Sequence, residues 1–278
     1  MKYRMCVVLL IGLLTLSTSG NALTSETSKS PINPFYALLI AWTFDVAELE
    51  ALTRGYVSRE ATGIYSNEKY FEKDGLELRL LGMAHVADKN FYEDIKNSLR
   101  GKPGLILMEG VTDEKDLLET PLDLSSVAEK LGVDDQRKTF TPKSMPAEVT
   151  VIRADVDVSD FASDTIELLN LVGKVYSKKG FNFGHFLMMY LKLSQPEVTR
   201  TFFTDLIEKR NACLIGHVQN NLKKYPRIVI PWGAMHLPDI ERWVSDNGFT
   251  LKSQKGRLLL RFPNYLQYIL PEKPRKQG

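Results

Sequence analysis

Leu80-Leu81-Gly82-Met83-Ala84-His85-Val86 and Ile230-Pro231-Trp232-Gly233-Ala234-Met235-His236-Leu237 are two copies of one pattern. In each, an apolar run ends in G-x-x-H, one aliphatic residue follows, and a helical stretch begins. The first copy is led by residues 76–81 and followed by an amphipathic segment from Asn90. The second is led by residues 227–232 and followed by a helix opened at Pro238. The chain holds four histidines, and this arrangement uses two of them. A glycine at a strand end allows a sharp turn or the close approach of another chain. In open α/β sheets ligands gather beyond the carboxyl ends of the strands. Two such units in one parallel sheet would therefore aim His85 and His236 into one crevice. The alternative is that each histidine only satisfies a turn or caps a helix.

Residues 105–108 form a short apolar run ending in Glu109-Gly110, and residues 149–152 form a β-branched run closing near Asp155 and Asp157. Asn90 followed by Glu93 has the pattern of a helix start. Residues 111–148 are polar and read as an excursion over the sheet end, with one short helix at 124–131. Residues 161–176 and 181–193 have helical character, and 198–222 reads as one long amphipathic helix. Residues 54–74 suggest a hairpin or a lid-like loop. Residues 249–251 and 257–262 suggest two closing strands. Strands alternating with helices predict an α/β (α+β) fold, a central mixed sheet flanked by helices and built around the two strand–GxxH–helix units.

Composition places few further limits. The chain has 278 residues, 44% hydrophobic and 25% charged, an ordinary globular balance. A net charge of +2 and no basic cluster interleaved with aromatics outside the C-terminal tail argue against a nucleic-acid partner. Lys2 and Arg4, the uncharged run 6–16 and Gly20-Asn21-Ala22 have the form of a secretory signal. The expected organisation is a signal peptide at 1–22, a linker at 23–33, one domain at 34–270 and a basic tail at 271–278. Export to a periplasm or beyond follows, with an uncleaved membrane anchor as the alternative. The apolar stretch 34–44 is too short to span a bilayer. It reads as a helix packed on the domain or as an interfacial membrane contact. Cys6 is expected to leave with the signal, so Cys213 would have no internal disulfide partner; it reads as a small apolar helix residue, with a reactive thiol as the alternative.

His85, Glu109 and His236 all stand at inferred strand ends. Two imidazoles and a carboxylate form a plausible first shell for a divalent transition metal with an open position, such as Mn, Co or Zn. Glu109 has two other readings: a general base beside the metal, or a carboxylate that caps a helix or pairs with Arg210. There is no H-E-x-x-H, no C-x-x-C pair and no P-loop. His185 and His217 sit in apolar or helical settings and read as structural, with His217 the reserve ligand.

The order LLGMAHV, LILMEGV, EKRNACLI and IPWGAMHLPDIERWV, spanning residues 76–249, resembles the TraB/PrgY/GumN/TIKI family, which is similar in fold to the erythromycin esterase/ChaN-like clan. That family's TIKI members are regarded as metal-dependent proteases. The resemblance implies metal or catalytic roles for His85, Glu109 and His236. It implies an oxyanion- or carboxylate-holding role for Arg210, and substrate contact for Asn211, Gly82 and Gly233. Lys209 and Met235 depart from the family pattern. The expected function is an exported metal-dependent hydrolase of a peptide or another acyl bond. The alternatives are a non-catalytic protein that sequesters a peptide or signal at the same crevice, and a haem- or metal-handling protein suggested by fold analogy alone.

Overall fold

The computed structural model describes residues 50–120, 125, 128–129, 132–175 and 183–261. The expected signal, linker and basic tail, the apolar stretch 34–44 and most of the short helix at 124–131 lie outside these residues. The chain opens with a hairpin, β1 (Val57–Glu60) and β2 (Gly63–Lys73), followed by β3 (Leu76–Met83). β4 (Val86–Ala87) and α1 (Lys89–Leu99) lead to β5 (Gly104–Met108). The excursion carries β6 (Asp134–Asp135) and α2 (Gln136–Thr139), and returns through β7 (Val149–Arg153). Three helices follow, α3 (Ser163–Val175), α4 (Phe183–Leu193) and α5 (Pro196–Phe203), then a π-helical segment (Thr204–Lys209) and α6 (Arg210–Asn221). β8 (Arg227–Gly233), α7 (Leu237–Asp246) and β9 (Thr250–Arg261) close the described chain. No helix among the described residues is long and apolar enough to cross a membrane.

The main sheet has seven strands in a mixed arrangement flanked by helices, the α/β fold expected. Its centre is β3, β8, β5 and β7, in that order and all parallel. Parallel strands covered by helices must be apolar along most of their length. β3 is buried from Leu78 to Met83 and β8 from Ile228 to Trp232. Ile95 and Leu99 of α1, Leu214 and Val218 of α6, and Ile240 and Val244 of α7 join these strands in one core. The remaining strands are antiparallel: β2 pairs β1 at residues 63–66, β3 at 68–73 and β9 along nearly its whole length.

Four boundaries differ from the sequence reading. α1 is capped by Asp88, whose carboxylate accepts from the Asn90 N–H at 3.3 Å, so the helix starts before the Asn90–Glu93 pair. The two expected closing strands are one strand, β9. Its polar middle lacks apolar alternation, and pairing with β2 rather than burial keeps it extended. The expected long helix 198–222 is broken into α5, the π segment and α6. Both G-x-x-H glycines lie inside their strands and have no positive φ, so space rather than backbone freedom selects them. A Cβ on Gly82 would stand 2.7 Å from Ser66 Oγ and 3.2 Å from Tyr56 O. The Ser66 hydroxyl also donates to the Gly82 carbonyl. Gly82 therefore packs against the β1–β2 hairpin, and this contact accounts for it without a ligand. Gly82→Ala is expected to cost about 1–3 kcal/mol by overpacking, read as a lower urea midpoint at unchanged m-value.

Candidate functional site

Because β3, β8, β5 and β7 run parallel, their carboxyl ends share one edge of the sheet. His85 follows β3, His236 follows β8, Glu109 follows β5, and Asp155 stands two residues beyond β7. α6 brings Arg210 to the same edge. The guanidinium Nε donates to Asp155 Oδ1 at 2.9 Å, and Nη2 donates to Asp155 Oδ2 and Glu109 Oε1, each at 2.7 Å. Nη1 lies 3.3 Å from His236 Nε2 and 3.5 Å from the Leu206 carbonyl. All five N–H groups of Arg210 thus face acceptors of the protein itself.

The acceptors are equally committed. Glu109 Oε2 takes the Gly233 N–H at 2.6 Å. A Cβ on Gly233 would meet that oxygen at 3.4 Å and the His236 ring at 3.5 Å, so the glycine keeps room for the carboxylate. Asp155 also accepts from the backbone N–H groups of Gly110 and Val156, each at 2.9 Å. His236 Nδ1 lies 2.7 Å from Asn211 Oδ1. An amide oxygen only accepts, so Nδ1 carries the proton and Nε2 is the lone pair that faces Arg210. Trp232 forms the floor: its ring meets His236 edge-on at 5.1 Å and lies under the Arg210 guanidinium at 5.4 Å.

The electrostatics follow from this packing. Burial pushes the Glu109 carboxyl up, but Arg210 foremost, then His236, His85 and the Gly233 N–H, hold it down at about 2. Burial pushes the His236 imidazole down to about 4, with Glu109 opposing and Arg210 adding to the shift. Burial lowers the Arg210 guanidinium, yet its bonds to Asp155 and the charge of Glu109 raise it above its ordinary range. At neutral pH the unit holds one cation, two carboxylates and a neutral imidazole.

His85 stands apart from this unit. It is exposed, and its Nδ1 lies 3.2 Å from Gln136 Oε1. The pairing of β4 with β6 brings Gln136 there, and the Gln136 N–H donates to the His85 carbonyl at 2.9 Å. The sequence-derived roles shift accordingly. Arg210 has no N–H left for an oxyanion; the carboxylates it anchors are Glu109 and Asp155. Asn211 orients His236, and the Gly233 N–H holds Glu109. Glu208 turns towards the Thr204 hydroxyl at 3.1 Å, while Lys209 pairs with buried Asp205 at 2.7 Å. The second acid of the unit is thus Asp155, whose signal was its place at the end of a fourth strand-like run. Gln136 carried no signal in its polar surroundings. Cys213 is half-buried on α6, and burial pushes its thiol up.

The donor set expected for a divalent metal, His85, Glu109 and His236, does not fit one in this arrangement. Both Glu109 oxygens and His236 Nε2 already face N–H groups, and the Arg210 cation fills the place where they converge. Among the described residues no three His, Cys, Asp or Glu side chains are grouped to hold a metal ion. No protein-family model matches the chain, and comparison with curated proteins and with solved structures finds no match either.

The shifts of His236 and Glu109 set a dependence of stability on pH. From about 6.5 down to about 4 the unfolded chain takes up a proton on His236 that the folded chain refuses, so acidification destabilises. Glu109 extends the loss from about 4.5 down to about 2. The His236 contribution is on the order of 3 kcal/mol. Urea unfolding as a function of pH should show both windows, with His236→Gln flattening the upper one and Glu109→Gln the lower.

Proposed function

We propose that this chain is a hydrolase of a peptide or another acyl bond, acting at the carboxyl edge of the parallel strands. The observation that supports this reading most is the convergence of Glu109, Asp155, His236 and Arg210, from four separate stretches, behind an exposed histidine. The motif order shared with the TraB/PrgY/GumN/TIKI pattern supports the same class of reaction. The division of labour follows from what each group has left to offer. Glu109 is a fixed anion and a poor proton acceptor. His236 is a neutral imidazole whose lone pair is taken.

His85 is exposed and open to a substrate, and in this proposal it is the general base. It takes a proton from a water that attacks the acyl carbon, and returns it to the leaving group. The positive charge that develops on its ring interacts with the Glu109 carboxylate behind it. Gln136, hydrogen-bonded to Nδ1, fixes the orientation of the ring and leaves Nε2 for the water. Arg210, Asp155, Asn211 and Gly233 are positioning residues: they hold Glu109 and His236 where they stand.

A panel of fluorogenic peptides and chromogenic esters, assayed with the purified protein, tests the proposal. His85→Ala should lower kcat by about 10²–10⁴ with KM little changed, and chelation of divalent metals should leave activity intact. Unchanged turnover in His85→Ala overturns the role of His85. A stoichiometric transition metal, whose removal abolishes turnover, would restore a metal centre.

The second reading is a binding protein that holds a peptide at the same edge without cleaving it. The full commitment of the Arg210 donors favours it, because no guanidinium N–H remains for an oxyanion. Ligand binding that survives His85→Ala, with no turnover by the unmodified chain, identifies that case.

A further inference from the structure

A separate charged cleft lies at the other end of the same strands. Residues two apart on a strand share a face, and the register places Arg79 beside Tyr70, Glu77 beside Arg227, and Glu68 beside Lys255. These side chains, with the loop Gly101-Lys102-Pro103, enclose an open cleft of ≈ 650 Å³. That is within the roughly 300–1,000 Å³ usual for small-molecule sites. Arg227 begins β8 and His236 lies beyond its end, so the cleft is about 20 Å or more from the candidate hydrolytic edge at ~3.3 Å per strand residue.

Cations outnumber anions on its walls, with Arg79, Arg227, Lys102 and Lys255 against Glu68 and Glu77. Glu68 is already spent: Oε1 accepts from Arg79, and Oε2 accepts from Arg257 at 2.6 Å. Donors are left over. Arg79 Nη1 and Arg227 Nε have no hydrogen-bond partner among the described residues, and both atoms lie just beneath the cleft wall. Arg79 is only 7% exposed. Arg227 Nε lies 3.5 Å from Glu77 Oε2, close enough for charge attraction but not aligned as a hydrogen bond. Burial, and the like charge of Arg79, hold the Arg227 guanidinium below its ordinary range. Neighbouring cations on the walls repel one another. An anion with several acceptor oxygens offsets that repulsion, and guanidinium groups match phosphate geometry.

We propose that this cleft binds a phosphate group, held by Arg79 and Arg227 on the sheet and by Lys102 from the loop. An excess of two positive charges on the walls suits a phosphate dianion better than a single carboxylate. The volume leaves room for a small molecule attached to it. The site owes nothing to the hydrolase reading, since none of its residues belongs to the other edge.

Calorimetric titration of the full chain in chloride buffer tests the proposal, with inorganic phosphate, adenosine monophosphate and glucose 6-phosphate as probes. Saturable binding of at least one probe is expected, weakening as salt is raised. Arg227→Gln should weaken it on the order of tenfold. Lys102→Ala, in an exposed loop where folding is not at risk, should weaken it several-fold. His85→Ala should leave it unchanged. Tighter binding of an ester than of inorganic phosphate assigns the site to a phosphorylated small molecule; equal binding assigns it to the free ion. Absence of saturable binding by all three probes, or binding indifferent to both cleft variants, overturns the proposal.

Discussion

One guanidinium, held out of water between two carboxylates, organises the carboxyl edge of this sheet. The Arg210 side chain is 11% exposed, Glu109 10% and Asp155 0%, so solvent does little to stabilise any of the three charges. Such a group survives burial only if its partners are complete. Here Asp155 grips the guanidinium with both oxygens and Glu109 takes a further N–H. Loss of any member strands the others. The cost of breaking a buried pair, about 3–5 kcal/mol, would fall on the junction of β5, β7, β8 and α6. The same bonds that fix the edge also favour the anionic form of Glu109.

This geometry changes how the strand-end histidines should be understood. A carboxylate, an imidazole lone pair and a second carboxylate converge on one point, as they would around a divalent cation. The cation at that point is covalently part of the chain. Metal and guanidinium favour the same donors: anionic oxygens and imidazole nitrogen. The donors alone therefore cannot tell a sequence reader which cation they serve. In this structure α6 brings the Arg210 guanidinium to that point, a long-range event that the spacing of residues along the chain does not encode.

Much of the frame was legible for local reasons. The two apolar runs ending in G-x-x-H are strands, they are adjacent and parallel, and both histidines stand at their carboxyl ends. A strand buried on both faces writes itself as an unbroken apolar run, and β5 and most of β8 did so, while Glu77 and Arg79 interrupt β3. The pairing of Glu109 with Arg210, held open as one of three readings, is the contact that forms. The illegible parts depend on partners distant in sequence. β9 is extended because β2 lies beside it. Gln136 meets His85 because β6 pairs with β4. Asp155 was visible as a strand-end acid, but its bidentate hold on Arg210 depends on a helix that begins 55 residues later.

The π-helical turn at Thr204–Lys209 ends where Arg210 begins. A π turn accommodates an extra residue without leaving the helix axis. Each residue advances a regular helix by about 100°. If these residues wound as an ordinary α-helix, α6 would be rotated about its axis relative to α5, and the guanidinium would turn away from the sheet with it. The irregular turn therefore works as a phase adjuster for α6 and the guanidinium at its start. Shortening it by one residue would change no member of the charged unit, yet would leave two carboxylates facing each other with no cation between them.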